Sequence, residues 1–228
     1  NIKFIYEIIY IVIFMHNILN NLISIQKEIQ QINSNTKIIA VSKTFSLEKI
    51  KPIIDNNHRH FGENKVQEAL EKWSKVKEEN KNINLHLIGK LQTNKVKYCL
   101  PLFDYIHSLD SIKLAEKIAN EQIKKKFKPK IFLQINIGDE QQKSGIDLNE
   151  VESFYFKIKK DFDLNIVGLM CIPPNVLNTK PFYEKMKKIS EKVNLNELSM
   201  GMSNDYLDAA QNAATFVRIG SKIFGQRN

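Results

Sequence analysis

The stretch Lys37-Ile-Ile-Ala-Val-Ser-Lys-Thr44 decides the fold once it is read together with the twenty or so residues after it. It is a short β-branched run. Residues 47–56 then carry apolar side chains every three or four positions, and His58-Arg-His-Phe-Gly62 supplies a second short run. A strand, a helix and a strand joined this tightly pair their strands in parallel through a right-handed crossover. The unit repeats. Further strand-like runs lie at 84–89, 104–108, 130–136, 165–170, 197–200 and 215–219, separated by Lys/Glu-rich helical segments at 65–79, 94–100, 111–126, 148–161, 179–193 and 204–212. An amphipathic helix from Met15 to about Asn33 precedes them. Eight strands alternating with helices are predicted to close into a single (β/α)8 TIM-like barrel. An open doubly wound sheet is the rival. It lacks its usual signature, because no Gly-rich dinucleotide turn follows any strand and no GxxxxGK[ST] occurs. With 228 residues and no Pro/Gly/Ser linker, we expect one barrel domain over residues 15–228.

The formal charge is +9, but the basic set is 31 Lys and only 3 Arg. Charge spread over Lys-rich helices is a compositional drift, unlike the clustered, Arg-led footprint of a nucleic-acid binder, so no nucleic-acid partner is expected. Cys99 and Cys171 stand far apart, without CxxC or Cys/His spacing. That excludes a disulfide scaffold and a zinc ribbon and leads us to expect a reducing, cytoplasmic setting. The apolar run from Ile8 to Met15 is far shorter than the roughly 20 residues of a spanning helix, and no small-residue cleavage site follows it. Residues 1–14 are therefore expected to be an upstream extension, and no membrane partner is expected.

In a barrel the chemistry gathers on the loops at the C-terminal ends of the strands. The first strand delivers Lys43 there, where a partly desolvated amine can attack an aldehyde to form a Schiff base. One lysine at a strand end is unremarkable among 31, so Lys43 alone decides nothing. The end of the chain adds weight: Ser199-Met-Gly-Met-Ser-Asn-Asp205 and Arg218-Ile-Gly-Ser-Lys-Ile-Phe-Gly225 follow the seventh and eighth strands. Barrels commonly hold a phosphate between those two loops. Gly201 and Gly220 allow a close backbone approach, Ser203 and Ser221 offer hydroxyls, and amides at the start of a short helix can face an anion. Arg218 sits on a strand in a chain that otherwise uses Lys. A planar, permanent donor suits a heteroaromatic nitrogen or a carboxylate, and a structural salt bridge is the alternative.

Seven ordered motifs carry a resemblance. They are Ala40-Val-Ser-Lys-Thr44; Phe61-Gly-Glu-Asn64 with Val66-Gln67-Glu68; His86-Leu-Ile-Gly89 with Leu91-Gln92 and Asn94-Lys95; Lys143-Ser-Gly145; Gly168-Leu-Met170; Leu198-Ser-Met-Gly-Met-Ser203; and Val217-Arg-Ile-Gly220 with Ile223-Phe-Gly225. Together they resemble the pyridoxal phosphate homeostasis protein family from about residue 18 to 227. The resemblance implies a fold type III barrel, like the N-terminal domain of alanine racemase, that binds pyridoxal 5'-phosphate (PLP). It implies Lys43 as the Schiff-base lysine, Arg218 facing the pyridine nitrogen, Ser203, Gly220 and Ser221 at the phosphate, and Asn64 and Met202 lining the pocket. Lys65, Leu85 and Ala213-Ala214 depart from the family pattern, but none of them is an implied PLP contact. His86 either bonds near the cofactor or is a satisfied histidine inside the barrel. Lys143 could be a second amine at the mouth.

The chemistry favours a carrier over an enzyme. PLP catalysis uses a protonated pyridinium as an electron sink, which an arginine at the ring nitrogen opposes. Racemisation also needs a second acid/base, and neither Tyr105 nor Tyr206, both expected near loops, has a spacing that marks it as one. We therefore expect a monomeric protein of PLP homeostasis that holds and exchanges the cofactor with little or no turnover. A weak PLP-dependent amino-acid racemase and an adaptor for PLP-dependent apoenzymes are the alternatives.

Overall fold

Eight parallel strands close on themselves in chain order. The computed structural model describes residues 2–140 and 144–226, with side chains from residue 17 onward. Helix α1 (Ile2–Ile32) leads into β1 (Lys37–Val41), α2 (Leu47–Asp55), β2 (His60–Glu63), α3 (Val66–Glu79) and β3 (Asn84–Leu87). A 3₁₀ turn (Thr93–Lys95) runs into α4 (Val96–Cys99), followed by β4 (Tyr105–Leu109), α5 (Ile112–Lys125), β5 (Lys130–Ile135) and α6 (Val151–Asp161). The chain ends with β6 (Asn165–Cys171), α7 (Lys180–Val193), β7 (Glu197–Ser199), α8 (Tyr206–Gln211), β8 (Phe216–Ile219) and α9 (Ser221–Phe224).

The period-2 pattern of the strands sorts their side chains into two cores. Outward residues such as Ile38, Ala40, Phe61, Leu85, Ile106, Leu133, Leu169 and Val217 join the helices in one buried layer. Inward residues Ile39, Tyr105, Phe132, Met170 and Phe216 fill the lumen. Helix α1 stands outside the repeat. Its Ile18, Leu22, Ile25 and Ile29 recur at helical spacing, are all buried, and face α2, α8 and α9 beside the seam between β1 and β8. Polar contacts fix it there: Asn21 Nδ2 donates to Ile223 O at 3.1 Å, and the Tyr206 hydroxyl donates to Glu28.

Element boundaries differ from expectation for local reasons. Helix α1 is helical from Ile2 rather than from Met15. The second strand starts at His60, because His58 and Arg59 fold back: His58 Nε2 meets His60 O at 2.8 Å and Arg59 Nη1 donates to Ile54 O at 3.2 Å. The helix expected at 94–100 shrinks to a 3₁₀ turn and one α turn ahead of Pro101, which disfavours helical geometry in the residue before it. No helix among the described residues is long and apolar enough to cross a membrane.

Gly168 marks the tightest strand contact. A Cβ there would lie 2.0 Å from the Glu197 carbonyl oxygen on the paired strand β7, and neither backbone can retreat without breaking the barrel ladder. Gly168→Ala should cost about 2–3 kcal/mol and lower Tm by roughly 5–10 °C. A melting curve overlaying that of the wild type would refute this close approach.

Candidate functional site

The β1–β8 pairing sets Ile39 against Arg218 and Ala40 against Ile219, so the ends of these two strands open on the same rim. There a cavity of about 1140 Å³ is lined by Lys43, Asn64, Met202, Ser203, Arg218, Gly220 and Ser221. All seven expected site residues therefore meet in one place. Val41, Ile88, Thr179, Asn204, Asp205, Asp208, Gln226 and residues 172–177 complete the wall. The 172–177 segment is an apolar rim, with Leu177 fully exposed and Val176 half-exposed; it carries no periodicity that the sequence could have revealed.

One side of the cavity is a cup of hydroxyls and close-packed backbone. Gly201 adopts φ +87°, and a Cβ on it would sit 2.5 Å from that of Ala209, so only glycine fits the turn. Asp205 shapes the next turn: it accepts the Met202 N–H at 2.7 Å on Oδ1 and the buried Tyr183 hydroxyl at 2.6 Å on Oδ2. The result brings the Ser203 and Ser221 hydroxyls to 3.0 Å of each other, with Gly220 beside them as the residue capping α9. This shaping role of Asp205 was not evident in the sequence.

Arg218 forms the floor. It is 4% exposed, and its guanidinium donates to Ser199 Oγ at 2.8 Å and to the Cys171 carbonyl at 2.7 Å. Neither acceptor is a carboxylate, so hydrogen bonds to neutral groups rather than a salt bridge hold it. Ser199 passes the connection on. Its Oγ lies 2.9 Å from His107 Nδ1, His107 Nε2 lies 2.9 Å from His86 Nδ1, and His86 Nε2 lies 3.0 Å from His60 Nδ1. Tyr105 stacks on His86 and Phe132 on His107, with ring centroids 4.1 and 4.3 Å apart. His86 is thus a satisfied lumenal histidine and does not line the cavity.

Burial holds His86 and His107 well below the ordinary histidine value, and pushes His60 down to about 4, so all three rings are neutral near pH 7. Each contact between neutral rings then holds one proton. The protons therefore run either all from Ser199 toward His60 or all from His60 toward Ser199, whose hydroxyl oxygen keeps a second lone pair beside the one that accepts from Arg218. The histidines climb the barrel because neighbouring strands are staggered: Gly62 pairs with His86, and His86 with Tyr105, two residues before His107. That staircase appears only once the register is known.

Other expected positions fall elsewhere. Tyr105 opens β4 beside the preceding loop but lies in the lumen, and Tyr206 opens α8 and bonds to Glu28, so neither faces the cavity. Leu85 packs on the outer face of the sheet, and Ala213 takes a left-handed φ of +64°. Lys143 lies outside the described residues.

A family model described as the N-terminal domain of alanine racemase matches residues 13–228. The pyridoxal phosphate homeostasis protein of Aquifex aeolicus is 34% identical over 200 residues, covering 84% of this chain and 87% of its own. That of Pasteurella multocida is 37% identical over 226 residues, covering 91% and 97%. The chain belongs to the pyridoxal phosphate homeostasis protein family. Among solved structures, PipY of Synechococcus elongatus with PLP bound superposes with a TM-score of 0.81 at 32% identity, covering 91% of this chain and 100% of that one. Alanine racemase of Clostridium difficile shares the fold, with a TM-score of 0.73 at 14% identity over 57% of its length. This member of the pyridoxal phosphate homeostasis protein family thus places its motif residues around one cavity in the barrel shared with that racemase.

The neutral histidines couple stability to pH. Both His58 and His60 are held near 4, below the ordinary 6.5, chiefly by burial. The unfolded chain binds these protons first, so stability is fully present above about pH 6.5 and is lost as pH falls toward 4. At pH 5 each should cost about 2 kcal/mol. Tm measured from pH 7.5 to 5 should fall steadily; a flat profile would contradict the buried neutral rings.

Proposed function

We propose that the protein binds PLP in this cavity and serves its homeostasis, holding the cofactor on Lys43 and exchanging it with little or no turnover. The observation that carries this reading is the convergence of one lysine, one buried arginine and a two-serine cup on a single cavity of about 1140 Å³. The donor set fits the cofactor group by group. PLP supplies an aldehyde that a lysine amine can hold as a Schiff base and surrender to another amine or to water.

Lys43 stands at the rim at the end of β1, where its amine can reach into the cavity. Ser203 and Ser221 offer hydroxyls to a phosphate, and Gly220 lets the backbone come close to it. Asn64 and Met202, both in the cavity wall, would lie beside the ring. Arg218 presents a permanent positive charge from below, so a ring nitrogen set against it accepts a hydrogen bond and stays unprotonated. An unprotonated ring is a poor sink for the electrons that amino-acid chemistry would push into it, which supports a carrier.

The ionisable side chains lining the cavity among the described residues point the same way. They are Lys43, Asp205, Asp208 and Arg218. Asp205 is committed to Tyr183 and to the Met202 amide, and Arg218 does not give up its proton. That leaves Lys43 and Asp208, whereas racemisation needs an acid and a base set on opposite faces of one carbon.

Borohydride reduction of the PLP-treated protein followed by peptide mass analysis should place the adduct on Lys43, and Lys43→Ala should abolish both the adduct and the visible absorbance of bound PLP. Retention of that absorbance in the variant would overturn the assignment. Chiral chromatography after incubation with single amino-acid enantiomers should show no sustained interconversion; steady turnover would favour the racemase.

A further inference from the structure

The segment that carries Lys43 is gripped from outside the cavity by residues of β2 and α3 that the proposed PLP contacts do not use. Lys72 Nζ donates three bonds: to the Ser42 carbonyl at 2.9 Å, to Glu63 Oε1 at 3.0 Å and to Glu68 Oε1 at 3.1 Å. The same Glu68 oxygen accepts the Thr44 N–H at 2.5 Å. Glu63, fully buried, also accepts the Ser42 hydroxyl at 2.8 Å and the Trp73 indole N–H at 2.9 Å. The carbonyl of the residue before Lys43 and the amide of the residue after it are therefore tied through one ammonium group.

This grip bears on where Lys43 points. Ile39 in the lumen and Val41 in the cavity wall mark the inward side of β1, and Lys43, two residues further on in the turn 42–45, also lines the cavity. Immediately afterwards Thr44 turns to φ +69°, a left-handed conformation that a β-branched residue adopts only when its surroundings impose it. Residues 42–45 close a turn in which the Phe45 N–H donates to the Ser42 carbonyl at 3.1 Å, and the Glu68 bond to the Thr44 amide and the Lys72 bond to the Ser42 carbonyl hold that turn from outside. Glu68 and Lys72 stand one helical turn apart on α3, so a single face of that helix supplies both.

We propose that Glu68 and Lys72 are positioning residues for Lys43: the clamp they form on residues 42–44 sets the reach of its amine into the cavity. The proposal rests on the reading of Lys43 as the lysine that holds PLP. Removing Lys72 would strand the buried Glu63 charge and threaten the fold. Glu68→Ala is the cleaner probe because it leaves the Lys72–Glu63 pair in place.

Two measurements on the full chain decide the matter. The first is hydrogen exchange at the Thr44 amide without PLP. The second is the PLP concentration giving half-maximal borohydride trapping on Lys43. In Glu68→Ala, Thr44 exchange should speed up about tenfold while the β1 amides keep their protection, and the half-trapping concentration should rise about tenfold, as expected for losing one charge-assisted hydrogen bond. Glu68→Gln, whose amide oxygen can still accept from Thr44, should restore both. Faster Thr44 exchange with unchanged trapping would overturn the positioning role, and unchanged exchange would overturn the clamp itself. Failure of the wild type to trap PLP would instead overturn the functional reading, with the exchange data still reporting on the clamp.

Discussion

The pairing of β1 with β8 is the constraint on which the molecule depends. A parallel sheet built from successive crossovers leaves its first and last strands with unpaired edges until they find each other. Here they pair over four registered positions, Lys37 with Phe216 through Ala40 with Ile219. Closure does two things at once. It brings Lys43, just past β1, to the same rim as Gly220 and Ser221, just past β8, and it seals a lumen in which every polar group must find a partner. Helix α1, the element outside the repeat, packs beside this seam and ties to its far side through Asn21 and Ile223.

A permanent cation in that lumen poses the hardest problem. Burial pulls the Arg218 guanidinium below its ordinary value, yet an arginine keeps its proton in proteins. A carboxylate partner would satisfy it but would also cancel the positive charge at the cavity floor. The protein instead uses the Cys171 carbonyl and the Ser199 hydroxyl, which are neutral acceptors, and backs the hydroxyl with a file of neutral histidines. Burial keeps those rings uncharged, so no second cation competes near Arg218. The floor of the cavity thus combines fixed geometry with a guanidinium hydrogen-bonded to neutral acceptors, which suits the ring-nitrogen contact proposed for Arg218.

The barrel was legible in the sequence because its two periods are loud. Apolar strands such as Ile38-Ile-Ala-Val41 and amphipathic helices such as α3 and α7 announce themselves locally, and their alternation leaves few topologies. Lys43 and Arg218 stood out by position, and the Gly and Ser residues of the last two loops by their kind. Interactions that depend on stagger were hidden. His60, His86 and His107 lie far apart in sequence and become neighbours only through the register of three strands. Glu68 and Lys72 were hidden for another reason: in a chain rich in Lys and Glu, an i,i+4 pair on a helix reads as solvated surface. Its inward face shows only when β1 is placed against it.

Three separate networks therefore converge on one cavity from different directions. The clamp from β2 and α3 reaches residues 42–44 from outside the barrel. The histidine file rises through the lumen to Arg218 from below. The Asp205–Tyr183 bond braces the Ser203 loop from the side of α7. The hydrogen bonds that build these networks run through different side chains, so each can hold its own contact without straining the others. A site that captures a small phosphorylated aldehyde and releases it again, as proposed above, would gain from this separation. The lysine, ring and phosphate contacts proposed above could then let go one at a time, and no single step would have to break all three.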